Sequence, residues 1–244
     1  MDQAFGGWSV VTAPTTLQDK GSDKRTCSEC GYEETRVTSL TKDDYTVATS
    51  APKAGTPFYL GATQLQVEKT PTYYFKGTWA PSKYQMMDVS TDMNKATAMY
   101  AEAVSGGYKL YFMADGVKTY LVVDNMEVSG DTKVFIQPVT DAAKASVFVW
   151  NDEYDTFVTT VADKGEYYIG NYTYNETNYT KLSALMATGL GRNDRHAGKI
   201  YVVKSVNESN PNTGDSSELM GAFAVLVMCM TAGVILIVGK KKLI

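Results

Sequence analysis

Apolar and polar residues alternate with a period near two through most of this chain. Tyr108–Val123, YKLYFMADGVKTYLVV, and Phe157–Tyr172, FVTTVADKGEYYIGNY, each read as strand, tight turn, strand. Both turns carry Ala-Asp ahead of a glycine, at Ala114-Asp115-Gly116 and at Ala162-Asp163-Lys164-Gly165. Such residues supply the positive φ that hairpin turns need. Tyr45–Gly61 fits the same frame, with Gly55 in the turn. The second strands then align as Phe58-Tyr59-Leu60, Thr119-Tyr120-Leu121 and Tyr167-Tyr168-Ile169. A third strand follows each hairpin, at Tyr84–Val89, Lys133–Gln137 and Thr180–Leu185. A fourth follows at Ala96–Glu102, Ala145–Trp150 and Lys199–Val203. The pattern is a repeat of roughly 50 residues, three times over, with four strands in each unit.

Twelve strands in three four-strand units are the plan of a β-trefoil, in which six strands close a barrel and three hairpins cap it. The same strand count permits a β-sandwich. The expected inward residues are Tyr59, Leu60, Met99, Leu110, Tyr120, Leu121, Phe148, Val158, Tyr168, Ile169 and Val202. Where two of them are neighbours, alternation lets only one face the core. No long helical period occurs before the C-terminal stretch, so the expectation is an all-β domain over residues 45–206.

Residues 1–44 read as a small separate β module, two strands joined near Asp19-Lys20-Gly21. It carries Cys27-Ser28-Glu29-Cys30-Gly31. A structural zinc site needs four ligands, and the chain has no second Cys/His pair, so no metal is assigned. A local disulfide between Cys27 and Cys30, or two spare thiols, is the expectation. The Trp-x-Val opening, Thr/Pro turn and Arg-Thr-Cys-x-x-Cys-Gly resemble a short module that recurs in Firmicutes surface proteins. The first residues, MDQAFGGWSVV, have neither the basic nor the apolar region of a signal peptide. They read as the middle of a module, so the sequence predicts further coding sequence upstream.

Residues 207–218 are polar and rich in structure breakers, a linker by composition. Residues 219–239 follow with no acid or base, long enough as a helix to cross the ~30 Å hydrocarbon core of a bilayer. Lys240, Lys241 and Lys242 then place the tail 240–244 on the cytoplasmic side. Ahead of the span lies Asn210-Pro211-Asn212-Thr213-Gly214. Motif, apolar segment and basic end, in that order, resemble the cell-wall sorting signal of Gram-positive surface proteins. That signal is cut within Leu-Pro-x-Thr-Gly by the transpeptidase sortase. The resemblance implies cleavage between Thr213 and Gly214 and covalent transfer of Thr213 to peptidoglycan. Asn210 stands where Leu is usual, similar to a variant among gut-type clostridial surface proteins. A simple C-terminal membrane anchor is the alternative.

The net charge is −4, and removing the tail's three lysines, Asp215 and Glu218 leaves −5. Phosphate backbones call for a basic surface, so nucleic acid is excluded as a partner. The chain has one histidine, His196, and no nucleophile elbow or HExxH. Asp152, Glu153 and Asp155 read as a solvated turn rather than paired catalytic carboxylates. The expectation is therefore a non-catalytic binding or adhesion module without cofactor, recognising a glycan or a host surface protein. A passive stalk or accessory domain of a larger surface protein is the alternative. Sugar rings need an aromatic face and hydroxyl partners. Trp79, Tyr172, Tyr174, Asn175, Asn178 and Tyr179 are the candidate ligand-binding residues.

Overall fold

The computed structural model describes residues 4–63, 72–79, 86–128, 131–173, 183–190 and 198–204. The described chain is all-β, built from antiparallel strands with three short 3-10 turns. It forms two compact units. The first comprises residues 4–14 and 19–39 with Lys204, and the second comprises Thr15–Gln18 and Leu40–Val203. Leu40 packs with the second unit, and the Thr41 cap on Lys42–Asp44 opens that unit's first strand. Residues 207–244, which hold the linker, sorting motif, apolar span and basic tail, lie outside the described residues. Among the described residues no helix is long and apolar enough to cross a membrane.

The first unit has three strands where the sequence suggests two: β1 (Ser9–Thr12), β2 (Gly21–Thr26) and β3 (Glu33–Thr38), in the order β1-β2-β3. Ion pairs take the place of apolar alternation here. Lys24 meets Glu33 at 2.8 Å, Arg25 meets Glu34 at 2.7 Å and Arg36 meets Asp23 at 2.8 Å. The guanidinium groups of Arg25 and Arg36 lie over the Trp8 ring, 4.7 and 4.4 Å from its centroid.

In the second unit β4 (Tyr45–Val47), β5 (Tyr59–Ala62), β6 (Tyr73–Trp79) and β7 (Met87–Ser90) come first. Then come β8 (Met99–Val104), β9 (Gly107–Ala114), β10 (Val117–Val128) and β11 (Asp131–Val139). Last are β12 (Val149–Asn151), β13 (Thr156–Val161), β14 (Gly165–Thr173), β15 (Ser183–Gly189) and β16 (Lys199–Val203). They make a four-stranded sheet, β11-β10-β9-β8, and a nine-stranded sheet, β12-β13-β14-β15-β7-β6-β5-β16-β4. Two isolated bridges, Phe58↔Met99 and Tyr108↔Phe148, join one sheet to the other. The Asp-Gly turns behave as the sequence dictates: Asp115 and Asp163 have φ of 48° and 60°, ahead of Gly116 at 77° and Gly165 at 93°.

The repeat has a backbone signature. Thr97 N–H donates to Phe75 O, Ser146 N–H to Leu121 O and Gly198 N–H to Ile169 O, at 2.7–3.1 Å. Each donor stands two residues before Met99, Phe148 or Ile200, all fully buried. These bonds make Tyr74-Phe75 the counterpart of Tyr120-Leu121 and Tyr168-Ile169. The sequence alignment had put Tyr59-Leu60 in that place. A tyrosine followed by an apolar residue occurs on both β5 and β6, so the pattern alone fits either strand. The caps repeat too: Asp92 and Asp141 accept from the amides of Asn94 and Ala143 ahead of the turns Met93–Lys95 and Ala142–Lys144.

The expected inward residues are buried apart from Val202, which is half-buried against the core. Alternation holds, with one member of each neighbouring pair in the main cluster, yet both members of each pair are buried. Leu60, Leu121 and Ile169 point into the main cluster with Phe58, Met99, Phe112, Phe148 and Phe157. Tyr59 points the other way, into a second cluster with Leu17, Tyr45, Tyr74, Met93 and Ala96. Residues Thr15–Gln18 lie over that outer face. The Leu17 N–H donates to the Tyr59 hydroxyl at 2.9 Å, and that hydroxyl donates to Gln18 Oε1 at 2.9 Å. Replacing Tyr59 by phenylalanine leaves the ring in place and strips the Leu17 amide of its partner. The expected loss in chemical denaturation is about 1–3 kcal/mol.

Candidate functional site

Three strands of the middle repeat, β8, β9 and β10, carry their core residues on one face: Met99 and Ala101, Leu110 and Phe112, Leu121 and Val123. Alternation therefore turns Tyr100 and Glu102, Lys109, Tyr111 and Met113, and Lys118 and Tyr120 to the opposite face. Register brings the aromatic residues into a row, Tyr100 opposite Tyr111 and Tyr111 opposite Tyr120. The Tyr100 and Tyr111 rings stack at 5.2 Å and 19°, and the Tyr120 ring is tilted at 5.6 Å from Tyr111.

A charged pair borders this platform. Lys118 Nζ lies 2.8 Å from Glu102 Oε2 and 4.4 Å from the centre of the Tyr111 ring. The Tyr120 hydroxyl donates to the same carboxylate oxygen at 3.0 Å. Lys109 Nζ donates to Ala142 O at 2.8 Å along the border. Tyr100 and Tyr111 are half-buried, while Met113 is exposed on the same face.

The ionisation of this group is cooperative in direction. The hydrogen bond from Lys118, with further help from Tyr120, holds the Glu102 carboxyl below its usual range despite some burial. The hydrogen bond to Glu102 raises Lys118. Burial, then the hydrogen bond to the Glu102 carboxylate, raises Tyr120, which keeps its phenol protonated as a donor. A depressed carboxyl contributes stability above its unfolded value, near pH 4.3, and loses it as pH falls through the lower folded value. The raised Lys118 and Tyr120 contribute below pH ~10 and lose that as pH rises through their folded values. The pair is more than a third exposed, so its worth is about 0.2–1 kcal/mol. The Glu102→Gln variant is expected to be weaker than wild type by that amount at pH 7. The two should converge in acid, once Glu102 is protonated, as read by urea midpoints across a pH series.

The candidates singled out from the sequence are placed as follows. Trp79 is partly buried and packs against the core. Its indole N–H donates to Ile136 O at 3.0 Å, and its ring stacks on Phe112 and meets Phe75 edge to face. Tyr172 lies on β14. Tyr174, Asn175, Asn178 and Tyr179 fall outside the described residues, as do Asn210, Pro211, Asn212, Thr213 and Gly214, and His196. Cys27 and Cys30 are two free thiols in the β2–β3 turn, Cys27 buried and Cys30 exposed, so no disulfide joins them in this structure. The turn is closed by Gly31 N–H donating to Cys27 O and Cys27 N–H donating to Tyr32 O. Amides of Cys30 and Glu29 directed at the Cys27 sulfur lower its thiol.

Asp152 and Glu153 are exposed in the turn between β12 and β13, where Asn151 Oδ1 accepts from the amides of Glu153 and Tyr154. Asp155 leans instead to Lys199, 3.3 Å away. They do not converge, and among the described residues no group of acids, cysteines or histidine is arranged to hold a metal. A cavity of ≈ 10 Å³ inside the unit, lined by Phe58, Leu60, Met99, Leu110, Phe157 and Ile200 among others, is an apolar packing gap, too small for a ligand.

Sequence reasoning passed over the face on β8–β10 because it looked for clusters close in sequence. The signal was the register: Tyr100, Tyr111 and Tyr120 are spread along the chain and meet only when the strands pair. Comparison of the chain with protein-family models, with curated proteins and with solved structures returns no match in any of the three.

Proposed function

We propose that this chain is a sorted surface protein of a Gram-positive bacterium that displays a non-catalytic binding module, with the tyrosine face of β8–β10 as its contact surface. The stacked Tyr100–Tyr111 pair bordered by the Glu102–Lys118 ion pair carries this reading. Rings offer apolar contact at low entropic cost, and the ion pair offers both a donor and an acceptor. Tyrosine-rich surfaces of this make-up suit recognition of glycans and of proteins alike. The tail supplies the display: cleavage after Thr213 by sortase and linkage to peptidoglycan, with the span 219–239 holding the precursor in the membrane.

The fold proposed for the second unit is the β-trefoil. Strands β16, β5, β8, β9, β12 and β13 can be followed as a ring through the β16–β5 pairing, the Phe58↔Met99 bridge, the β8–β9 pairing, the Tyr108↔Phe148 bridge and the β12–β13 pairing. The Thr156 hydroxyl donating to Gly198 O at 2.5 Å lies where β13 would meet β16. Three strand pairs, β6–β7, β10–β11 and β14–β15, stand where the capping hairpins belong.

Beads coated with the protein test the reading. Those carrying wild type should be retained on a mucin, matrix-protein or bacterial-wall surface, and those carrying Tyr111→Ala should lose most of that retention. Equal retention for the two would favour the passive stalk. Mass spectrometry of wall digests tests the display: a muropeptide joined to Thr213 is expected, and a chain still ending at Ile244 would return the tail to a plain membrane anchor.

A further inference from the structure

The turn between β2 and β3 brings together two thiols that the tyrosine face does not use. Cys27 directly follows β2; its N–H donates to Tyr32 O at 2.8 Å, and Gly31 N–H donates to its carbonyl at 3.0 Å. The second bond closes one turn of helical type, and residues three apart in such a turn lie on the same side. Cys30 is therefore beside Cys27, and the two thiols are hydrogen-bonded. They differ in access, for Cys27 is buried and Cys30 exposed. The segment ahead of β1 pairs alongside Cys27. Phe5 bridges to it, Gly6 N–H donates to Thr26 O at 3.1 Å and Ser28 N–H donates to Ala4 O at 2.9 Å.

Backbone amides from both segments, those of Cys30, Glu29 and Ala4, are directed at the Cys27 sulfur. Hydrogen bonds from N–H groups favour a thiolate over a thiol, and the thiolate is the form that attacks a disulfide. The reactive sulfur is thus held inside, next to a sulfur that solvent reaches. A bond between the two would be a poor structural staple. Strands β2 and β3 already pair from Gly21↔Thr38 to Thr26↔Glu33 and are tied by the Lys24–Glu33 and Arg25–Glu34 ion pairs. Closing so short a loop removes little further entropy from the unfolded chain. A disulfide with one exposed sulfur in a tight turn belongs instead to the labile, exchanging kind.

We infer that Cys27 and Cys30 form a thiol–disulfide exchange site for a small external disulfide, RSSR, with Cys30 as the attacking sulfur and Cys27 as the resolving one. Cys30 passes its proton to Cys27 and attacks one sulfur of RSSR. The external S–S bond breaks, a Cys30–SR bond forms and RS⁻ leaves. Cys27 gives the proton to that RS⁻, attacks the Cys30 sulfur and expels the second RS⁻, which takes a proton from water. The two protein thiols are oxidised to one disulfide, and RSSR is reduced to two RSH. The reverse sequence returns the thiols. The site is independent of the β8–β10 contact surface.

The test uses full-length protein in detergent micelles, fully reduced, freed of reductant and mixed with glutathione disulfide. Intact mass and peptide mapping read the products and separate Cys27 and Cys30 from Cys229. Wild type is expected to lose two hydrogens and to keep no glutathione on this pair. Cys27→Ser should keep one glutathione on Cys30, because nothing resolves it. Cys30→Ser should react at least about tenfold more slowly, through the buried Cys27 alone. Oxidised wild type given excess reduced glutathione should recover both thiols. Wild type that does not react, or that keeps glutathione on Cys30, overturns the inference. So does a Cys30→Ser variant as fast as wild type, or a bond that resists excess glutathione, which would be a structural staple. Cys30 is exposed, so its serine variant keeps the backbone bonds of the turn and still decides the matter should Cys27→Ser disturb the fold.

Discussion

Replacing Phe148 by alanine is expected to cost about 3–5 kcal/mol, one of the two largest losses of any single change considered for this chain. Phe148 is fully buried between two exposed valines, Val147 at 38 % and Val149 at 47 %. It is thus the one inward side chain of its short segment. Its amide and carbonyl both pair with Tyr108 at 2.8 Å, the bridge that joins the two sheets. Truncation leaves a void among Phe58, Leu110, Phe157 and their neighbours in the main cluster. That surrounding is held by strand ladders and can collapse only in part. At the ~2–4 °C per kcal/mol expected for a unit of this size, the melting temperature should fall by roughly 10 °C. Val149→Ala, one residue away, should stay within about 0.5 kcal/mol. Similar losses in the two variants would show that the Phe148 ring does not anchor the core.

Most of the second unit was legible because its signals are local. Period-two alternation, Asp-Gly turns and a recurring strand order mark strands wherever one face is dry. The register of the first repeat was less legible, since Tyr59-Leu60 and Tyr74-Phe75 satisfy the same template and only tertiary hydrogen bonds choose between them. The burial of both Tyr59 and Leu60 was hidden for a different reason. Alternation tells which residues share a face, not whether a face is covered, and the cover is a four-residue segment that the sequence groups with the N-terminal module. Strands β2 and β3, GSDKRT and EETRVT, show no apolar period because salt bridges hold them together. Trp79 shows the converse: nothing along the chain signals that its indole is bonded to a distant strand. The tyrosine face required the cross-strand register, which no window along the chain contains.

Gly107→Ala should destabilise the second unit by about 3 kcal/mol or more, from two sources that a companion variant separates. Gly106 lies in the β8–β9 turn and Gly107 opens β9, with positive φ of 85° and 151°. At either position an L side chain is strained, by an amount on the order of 1–3 kcal/mol. The difference lies in the space available. A Cβ at Gly106 would meet nothing within 4 Å, whereas a Cβ at Gly107 would collide with the Phe148 carbonyl oxygen and come within 3.1 Å of its carbonyl carbon. That oxygen is the acceptor of the Tyr108 amide. The added methyl therefore has to push aside backbone at the bridge between sheets, where overpacking costs about 1–3 kcal/mol beyond the strain. Gly106→Ala should lose only the strain and keep the native core, judged by near-ultraviolet circular dichroism and by urea unfolding. Gly107→Ala should lose substantially more, with a core signal altered toward that of Phe148→Ala. Equal losses at the two glycines would mean that the close approach of the turn to Phe148 does not hold the sheets together.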